Sequence, residues 1–289
     1  MTAVLPAITN LSARVIRILG CNPGPMTLQG TNSYLIGTGK CRILLDTSDE
    51  GKTDYMDALS NLLKKLDVRL EAILLTHWHH DHVGCIGAID KDKSLHSHNG
   101  CTFHKMPRKD ADETKEKHYP VQIKPVIDGQ KFYTEGATIR AVFTPGHTTD
   151  HTAFVLEEEN ALFSGDCVLG EGTTVLETLS DYMRSLYLMK GLKADILYPG
   201  HGPHNLDAGS VIGQYIAHRE KREKQVLECL QQNGEMTIEE IVRSVYKGLP
   251  EHLILAASQN VHQHLEKLME EGRVEEVGEK YRVKQNYKL

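Results

Sequence analysis

The stretch Thr76-His77-Trp78-His79-His80-Asp81-His82 places four of the chain's 16 histidines beside a carboxylate, directly after an apolar run. Buried imidazoles and carboxylates need partners, so a cluster this dense does not suit an ordinary core. At a strand end His77 and His79 alternate onto one side and face one point. Asp81 and His82 lie on the turn beyond and can face a second. Imidazole combined with carboxylate is a ligand set for zinc, manganese or iron rather than calcium. Three later motifs add one candidate ligand each: Thr144-Pro-Gly-His147, Phe163-Ser-Gly-Asp166 and Tyr198-Pro-Gly-His201. Each ligand follows a short apolar run and a glycine that lets the backbone turn sharply. The seven divide into two sites of four to five ligands with one bridging group.

Such ligands need rigid supports. Short runs rich in Ile, Leu, Val and Phe at 42–46, 72–76, 141–144, 161–164 and 195–198 predict buried strands. A first strand is expected at Val15–Leu19. Leu59, Leu62, Leu63 and Leu66 share one helical face. Leu179, Met183, Leu186 and Met189 share another, with Gly191 as its expected C-cap. Strands alternating with helices predict an α/β layered domain over residues 1–208. Residues 94–120 are polar and without clear period, and are expected to form a long surface excursion beside the site.

The pattern changes near Leu206. Ile212, Tyr215, Ile216, Val226, Leu227 and Leu230 repeat at helical spacing. Thr237 and Glu240 form a capping-box pattern before Ile238, Ile241, Val242 and Val245. Pro250 suits the first turn of a third helix bearing Leu253, Ala257, Val261, Leu265 and Leu268, with Gly272 beyond it. Val274–Val277 and Lys280–Val283 around Gly278 predict a hairpin. Three helices and a hairpin make residues 209–289 a winged-helix-like domain. It carries 12 basic and 13 acidic residues, and its third helix bears Glu251, Glu266, Glu270 and Glu271. It is therefore expected to pack over the first domain and shape it, not to read a DNA groove.

The whole chain has 289 residues, 33 Lys+Arg, 39 Asp+Glu and a formal charge of −6. Holding nucleic acid by bulk charge is excluded, and any contact must come from a local patch. The longest uncharged run, between Arg17 and Lys40, holds Pro23, Pro25 and five glycines, so no membrane span is expected there. Met1 to Gly20 lacks the apolar core of a secretory signal. Six scattered cysteines without a CxxC pair read as reduced thiols.

The order HxHxDH, then His147, Asp166 and His201, strongly resembles the metallo-β-lactamase superfamily. The resemblance implies an αββα sandwich with the site at the edge between two sheets. It implies that His77, His79 and His147 bind a first Zn2+, that Asp81, His82 and His201 bind a second, and that Asp166 bridges. One or two zinc ions are expected, with Mn2+ as a substitute. Asp46 matches the family's first motif, where the carboxylate orients a ligand instead of binding metal. The family commonly has Asp-Thr-Gly there, and this chain has Asp46-Thr47-Ser48. His80 is expected to point away from the metals and Cys167 to be a buried thiol. His151 and His204 lie near ligands, Thr31 and Asn32 lie in a Gly-rich loop that can line the cleft, and a helix after Thr173 could meet a phosphate.

A narrower resemblance, carried by Asn22-Pro-Gly-Pro-Met-Thr-Leu-Gln-Gly-Thr-Asn32, Ser164-Gly-Asp-Cys-Val-Leu-Gly-Glu-Gly172 and the winged-helix tail, is to animal members of the superfamily. Those cleave single-stranded RNA in mitochondria. The resemblance implies a metal-dependent endoribonuclease in the mitochondrial matrix, with the cytosol as the alternative, single-stranded RNA as partner and no DNA or membrane partner. Two closely spaced ions lower the pKa of a shared water, and Asp81 is placed to orient it as the catalytic carboxylate. The other enzyme reading is a glyoxalase-II-like hydrolase of thioesters or other small acyl substrates. The ligands alone do not choose between the bonds.

Overall fold

The computed structural model describes residues 4–108 and 119–284. Among the described residues, seven strands form one sheet: β1 (Ile8–Asn10), β2 (Val15–Leu19), β3 (Asn32–Ile36), β4 (Cys41–Leu45), β5 (Arg69–Leu75), β6 (Thr102–Lys105) and β7 (Ile123–Pro125), side by side in that order. The first four pair antiparallel, and β4 to β7 run parallel. The second sheet has the order β12-β11-β10-β9-β8, built from β8 (Lys131–Thr134), β9 (Ala137–Phe143), β10 (Thr152–Leu156), β11 (Ala161–Gly165) and β12 (Ile196–Pro199).

The apolar runs are continuous because both faces of these strands are covered. Ile43, Leu45, Leu74, Phe154, Leu156 and Phe163 point between the sheets into one core. Their neighbours Leu44, Ile73 and Leu75 point outward under α1 (Thr53–Leu66). Ala153, Val155 and Leu162 point outward under α4 (Leu179–Gly191). Alternation therefore builds a helix–sheet–sheet–helix sandwich, the four-layer arrangement expected. Each large side chain such as Phe163 contributes about 1.5–3 kcal/mol on burial.

Two local expectations differ. The excursion at 94–120 contains β6, whose Phe103 and Lys105 are buried while Thr102 and His104 are only partly so. A mixed polar strand of this kind carries no apolar run to announce it. Residues 109–118 lie outside the described residues. Gly191 is the last residue of α4 and not its cap; Lys193, at φ 54°, is the left-handed residue beyond it.

The C-terminal part consists of α5 (Ala208–Asn233), α6 (Ile238–Val245), α7 (Ile254–Glu270) and the hairpin of β13 (Val274–Val277) and β14 (Lys280–Val283). Thr237 and Glu240 form the capping box of α6. Pro250 precedes a short 3-10 turn that runs into α7. The helix α5 joins both cores. Ile212 and Ile216 pack beneath α4, whereas Val226, Leu227 and Leu230 pack against α6 and α7. No helix among the described residues is long and apolar enough to cross a membrane.

Candidate metal centre

Four strand ends converge at one edge of the sandwich. His77 follows β5, His147 follows β9, Asp166 follows β11 and His201 follows β12. Backbone bonds tie the two sheets together there, Thr152 N–H to Thr76 O at 2.8 Å and Asn32 N–H to Gly200 O at 2.7 Å. Two glycines are required by space. A Cβ on Gly200 would lie 2.2 Å from Asp166 Oδ1. A Cβ on Gly146, at φ +132°, would lie 2.3 Å from Tyr182 Cα.

The seven candidate ligands fall into two clusters. His77, His79, His147 and Asp166 offer donor atoms within 4.8 Å of one another, and so do Asp81, His82 and His201. In the first, His79 Nδ1 lies 2.9 Å from His77 Nε2, and His147 Nε2 lies 3.2 and 3.1 Å from those two atoms. In the second, Asp81 Oδ2 lies 3.2 Å from both His82 Nε2 and His201 Nε2. Asp166 reaches both clusters, with Oδ1 3.4 Å from His82 Nε2 and Oδ2 3.3 and 3.8 Å from His201 and His147 Nε2.

The outer ring nitrogens are already committed. His77 Nδ1 donates to Thr76 Oγ1 at 2.9 Å, His147 Nδ1 to Val175 O at 2.8 Å and His201 Nδ1 to Gly30 O at 3.3 Å. His82 Nδ1 donates to Asp46 Oδ2 at 2.8 Å. For His77 and His147 these bonds leave the Nε2 lone pairs facing inward, where they meet beside His79 Nδ1. His82 Nε2 and Asp166 Oδ1 are buried without a hydrogen-bond partner. Converging lone pairs and unpartnered acceptors fit bound cations, and the nitrogen-plus-carboxylate set fits zinc, manganese or iron.

Electrostatics separate the two clusters. Burial pushes His77 well below its ordinary range, aided by His82 and His147. Burial, then His147, takes His79 down to about 4. Burial alone would also lower His82 and His201. Asp81, Asp166 and Asp46 instead hold His82 well above its usual value, and Asp166 with Asp81 lifts His201 to about 9. Burial opposes charge on Asp81 and Asp166 as well, yet these histidines keep both well below the carboxylate range. His77 and His79 in the first cluster are thus neutral imidazoles, and the second cluster is a carboxylate-rich pocket that draws positive charge.

Asp46 binds no inward atom. Its Oδ1 accepts Thr76 N–H at 2.7 Å, and its Oδ2 accepts the Thr76 hydroxyl and His82 Nδ1–H, both at 2.8 Å. One carboxylate therefore orients His82 directly and His77 through Thr76, which is the supporting role expected of it. Ser48, where the family has glycine, is accommodated because its hydroxyl donates to Gly20 O at 2.5 Å.

The Gly-rich loop contributes more than a wall. Thr31 Oγ1 donates to Asp81 Oδ2 at 2.8 Å and accepts from Asn22 Nδ2 at 3.0 Å. Asn32 is buried, and its amide donates to Pro199 O and Gly202 O, bracing the His201 turn. Thr76, Asn22 and the Val175 carbonyl were not among the expected site groups. Hydroxyls, amides and backbone oxygens have no spacing signature.

The remaining candidates stand outside the clusters. His80 is exposed. Cys167 is buried, and burial pushes its thiol up. His151 is buried behind the first cluster, its Nδ1 paired with Thr144 Oγ1 at 2.9 Å. His204 lies over Tyr198 with ring centres 6.2 Å apart. The helix after Thr173 begins only at Leu179, and the preceding Glu177 and Thr178 N–H groups are taken by Gly146 O.

This fold and this paired His/Asp site define a class. Residues 26–201 match the metallo-beta-lactamase superfamily, and residues 237–282 match the beta-lactamase associated winged helix domain. The chain belongs to the metallo-beta-lactamase superfamily, whose members are generally metal-dependent hydrolases. Among curated relatives it is similar to a Drosophila melanogaster protein named beta-lactamase-like protein 2 homolog, 46% identical over 94% of this chain and 93% of that one. A Thermus thermophilus metallo-beta-lactamase family protein of known structure is 25% identical, with a TM-score of 0.69 over 98% of this chain and 100% of that one. Another solved relative, in a di-iron-bound form, is 25% identical, with a TM-score of 0.51 over 67% of this chain and 96% of that one.

Proposed function

We propose that this chain is a zinc-dependent endoribonuclease that hydrolyses phosphodiester bonds of single-stranded RNA. His77, His79 and His147 would hold one ion, Asp81, His82 and His201 the other, with Asp166 between them. The observation that supports this reading is a groove beside the paired site, on the side of the outer ring nitrogen of His147. Thr174 and Val175, which brace His147, also line a groove of about 530 Å³ that continues along α7. An open groove suits a polymer, whereas a small acyl thioester is better served by an enclosed pocket.

Bound divalent ions supply Lewis acidity and bring the pKa of water toward neutrality. The chain's own groups do the positioning. Asp81 Oδ2 accepts the Thr31 hydroxyl and lies 3.2 Å from both His82 and His201 Nε2. Its Oδ1 is left to orient the attacking water and receive a proton. Asp46 and Thr76 fix the rings of His82 and His77, so little reorganisation is needed when charge develops.

The test is a side-by-side assay of metal-quantified protein and its Asp81→Ala variant. The substrates are end-labelled single-stranded RNA, matching DNA, a lactoyl-glutathione thioester and a chromogenic β-lactam. The expected result is internal RNA cleavage that chelation and Asp81→Ala both abolish. Thioester turnover with intact RNA would overturn the reading and move the substrate to small acyl compounds.

A further inference from the structure

We infer that the winged-helix end of the chain is a second contact surface for single-stranded nucleic acid, a basic groove between α5 and α6 that receives the phosphate backbone beyond the metal cleft. The inference rests on the nuclease reading and adds where the rest of the polymer lies. His218, Lys221, Arg222 and Gln225 recur at three- and four-residue spacing along one face of α5. With Tyr246 and Lys247 at the end of α6 they line a groove of about 740 Å³.

The charge there is uncompensated. Lys221, Arg222 and Lys247 have no carboxylate partner among the described residues. The one carboxylate lining the groove, Glu228, lies 3.7 Å from Lys224. Several other basic groups on this domain are neutralised in place. Lys267 and Arg273 both bind Glu223, Arg243 binds Glu239, and Arg282 binds Glu235 and Glu275. The near-zero domain charge therefore hides a directional one.

The groove also offers a flat platform. The Arg222 guanidinium lies 3.9 Å from the Tyr246 ring centre, and the Tyr246 hydroxyl donates to Asn260 Oδ1 at 3.0 Å, which fixes the ring. A braced aromatic–guanidinium pair beside lysines is the combination that holds single strands without reading their sequence.

Tyr246 lines both this groove and the one beside His147. From it the wall passes along Asn260 and Gln263 to Val175 and Thr174. Buried Arg219 ties α5 to that wall by donating to Thr174 O at 3.1 Å. Gln263 donates through Nε2 to Glu177 O at 3.0 Å, but its buried Oε1 has no partner. The two grooves thus join the uncompensated cations to the residues that brace His147.

The experiment compares the full chain with a Lys221→Gln/Arg222→Gln/Lys247→Gln variant and a Lys64→Gln/Lys65→Gln control on α1. Binding of labelled single-stranded 5-mers and 20-mers is measured by fluorescence anisotropy across a salt series, in an Asp81→Ala background that prevents cleavage. Hydrolysis of bis(p-nitrophenyl) phosphate, too small to reach the groove, is measured with Asp81 intact. The triple variant should bind the 20-mer at least ~10-fold more weakly. Its slope of log affinity against log salt should fall by about 2, since each single-strand phosphate contact carries roughly 0.7. The 5-mer affinity and the small-ester rate should match the control. Unchanged 20-mer affinity and slope would overturn the inference, as would absence of any nucleic-acid binding by the parent chain. If the parent cleaves RNA and the triple variant binds it normally, the groove fails and the nuclease reading stands. If the groove binds RNA that the parent never cleaves, the nuclease reading fails and the groove stands.

Discussion

Replacing Asp46 by Asn keeps the shape of the side chain and removes one acceptor oxygen. Three donors converge on that carboxylate, Thr76 N–H at 2.7 Å on Oδ1, and the Thr76 hydroxyl and His82 Nδ1–H at 2.8 Å on Oδ2. With the amide nitrogen at the Oδ2 position, an N–H group confronts His82 Nδ1–H. The ring then relieves the clash by moving its proton to Nε2, the atom that faces the second cluster. With the amide turned over, the buried Thr76 N–H is left without an acceptor instead. Either way a charge-assisted hydrogen bond is lost, worth about 1.5–3 kcal/mol. At 1.4 kcal/mol per decade that is roughly a 10- to 150-fold loss in affinity at the second cluster. The loss matches the scale known for groups that support metal ligands. The first cluster feels the change only through Thr76 and should lose less. The assay is a competition titration of zinc against a chromophoric chelator, resolving two stoichiometric steps, with circular dichroism as the folding check. If the weaker step stays within twofold of the parent while Asp81→Ala loses it, then Asp46 does not orient His82 and the argument fails.

Thr31→Val removes the hydroxyl that joins Asn22 to Asp81 and should weaken the second metal step about tenfold or more. An unaltered second step in the same titration would show that the Thr31 hydroxyl does not position Asp81. Gly146→Ala forces a side chain against Tyr182 Cα at a φ of +132°. It should cost more than the ~1–3 kcal/mol of backbone strain alone and displace His147; a normal melting temperature with full zinc content would contradict this. His264 is buried with both ring nitrogens unpartnered, and burial with Arg219, Lys267, Arg222 and His218 nearby takes it to about 3. Its folded value lies below the unfolded ~6.5, so stability is complete above pH 6.5 and falls as pH drops toward 3. The loss should reach about 1.4 kcal/mol at pH 5.5. Urea melts of the parent and His264→Leu at pH 7.5 and 5.5 should differ by that amount, and parallel losses in both proteins would remove His264 as the cause.

What was legible in the sequence is what repeats. The strand runs at 43–45, 72–75 and 161–164 were visible because both faces of each strand meet a core, which leaves no polar alternation. The histidine and aspartate motifs were visible because ligands must sit at strand ends, a few residues after an apolar run. Thr102–Lys105 was not visible, since half of its side chains are only partly buried and its composition is that of a loop. Thr31 could be placed near the cleft but not given a role. It lies 50 positions from Asp81, and their bond exists only once the loop folds over the second cluster. The Val175 carbonyl that fixes His147 is backbone, so no residue type announces it.

Charge shows the same limit from the other side. With 12 basic and 13 acidic residues in the C-terminal part, a sum predicts indifference to polyanions. A sum has no direction. Residues at three- and four-position spacing on α5 share a face, so Lys221 and Arg222 look one way while Glu223 turns toward Lys267 and Arg273. Pairing silences one face and leaves the other uncompensated. At physiological salt fields fade over about 8 Å. A polyanion lying in the groove would therefore respond to the nearby lysines and arginine, and hardly to the acidic residues elsewhere on the chain. An overall charge of −6 is then compatible with a local cationic track, provided that its cations are not consumed by carboxylates on the same surface.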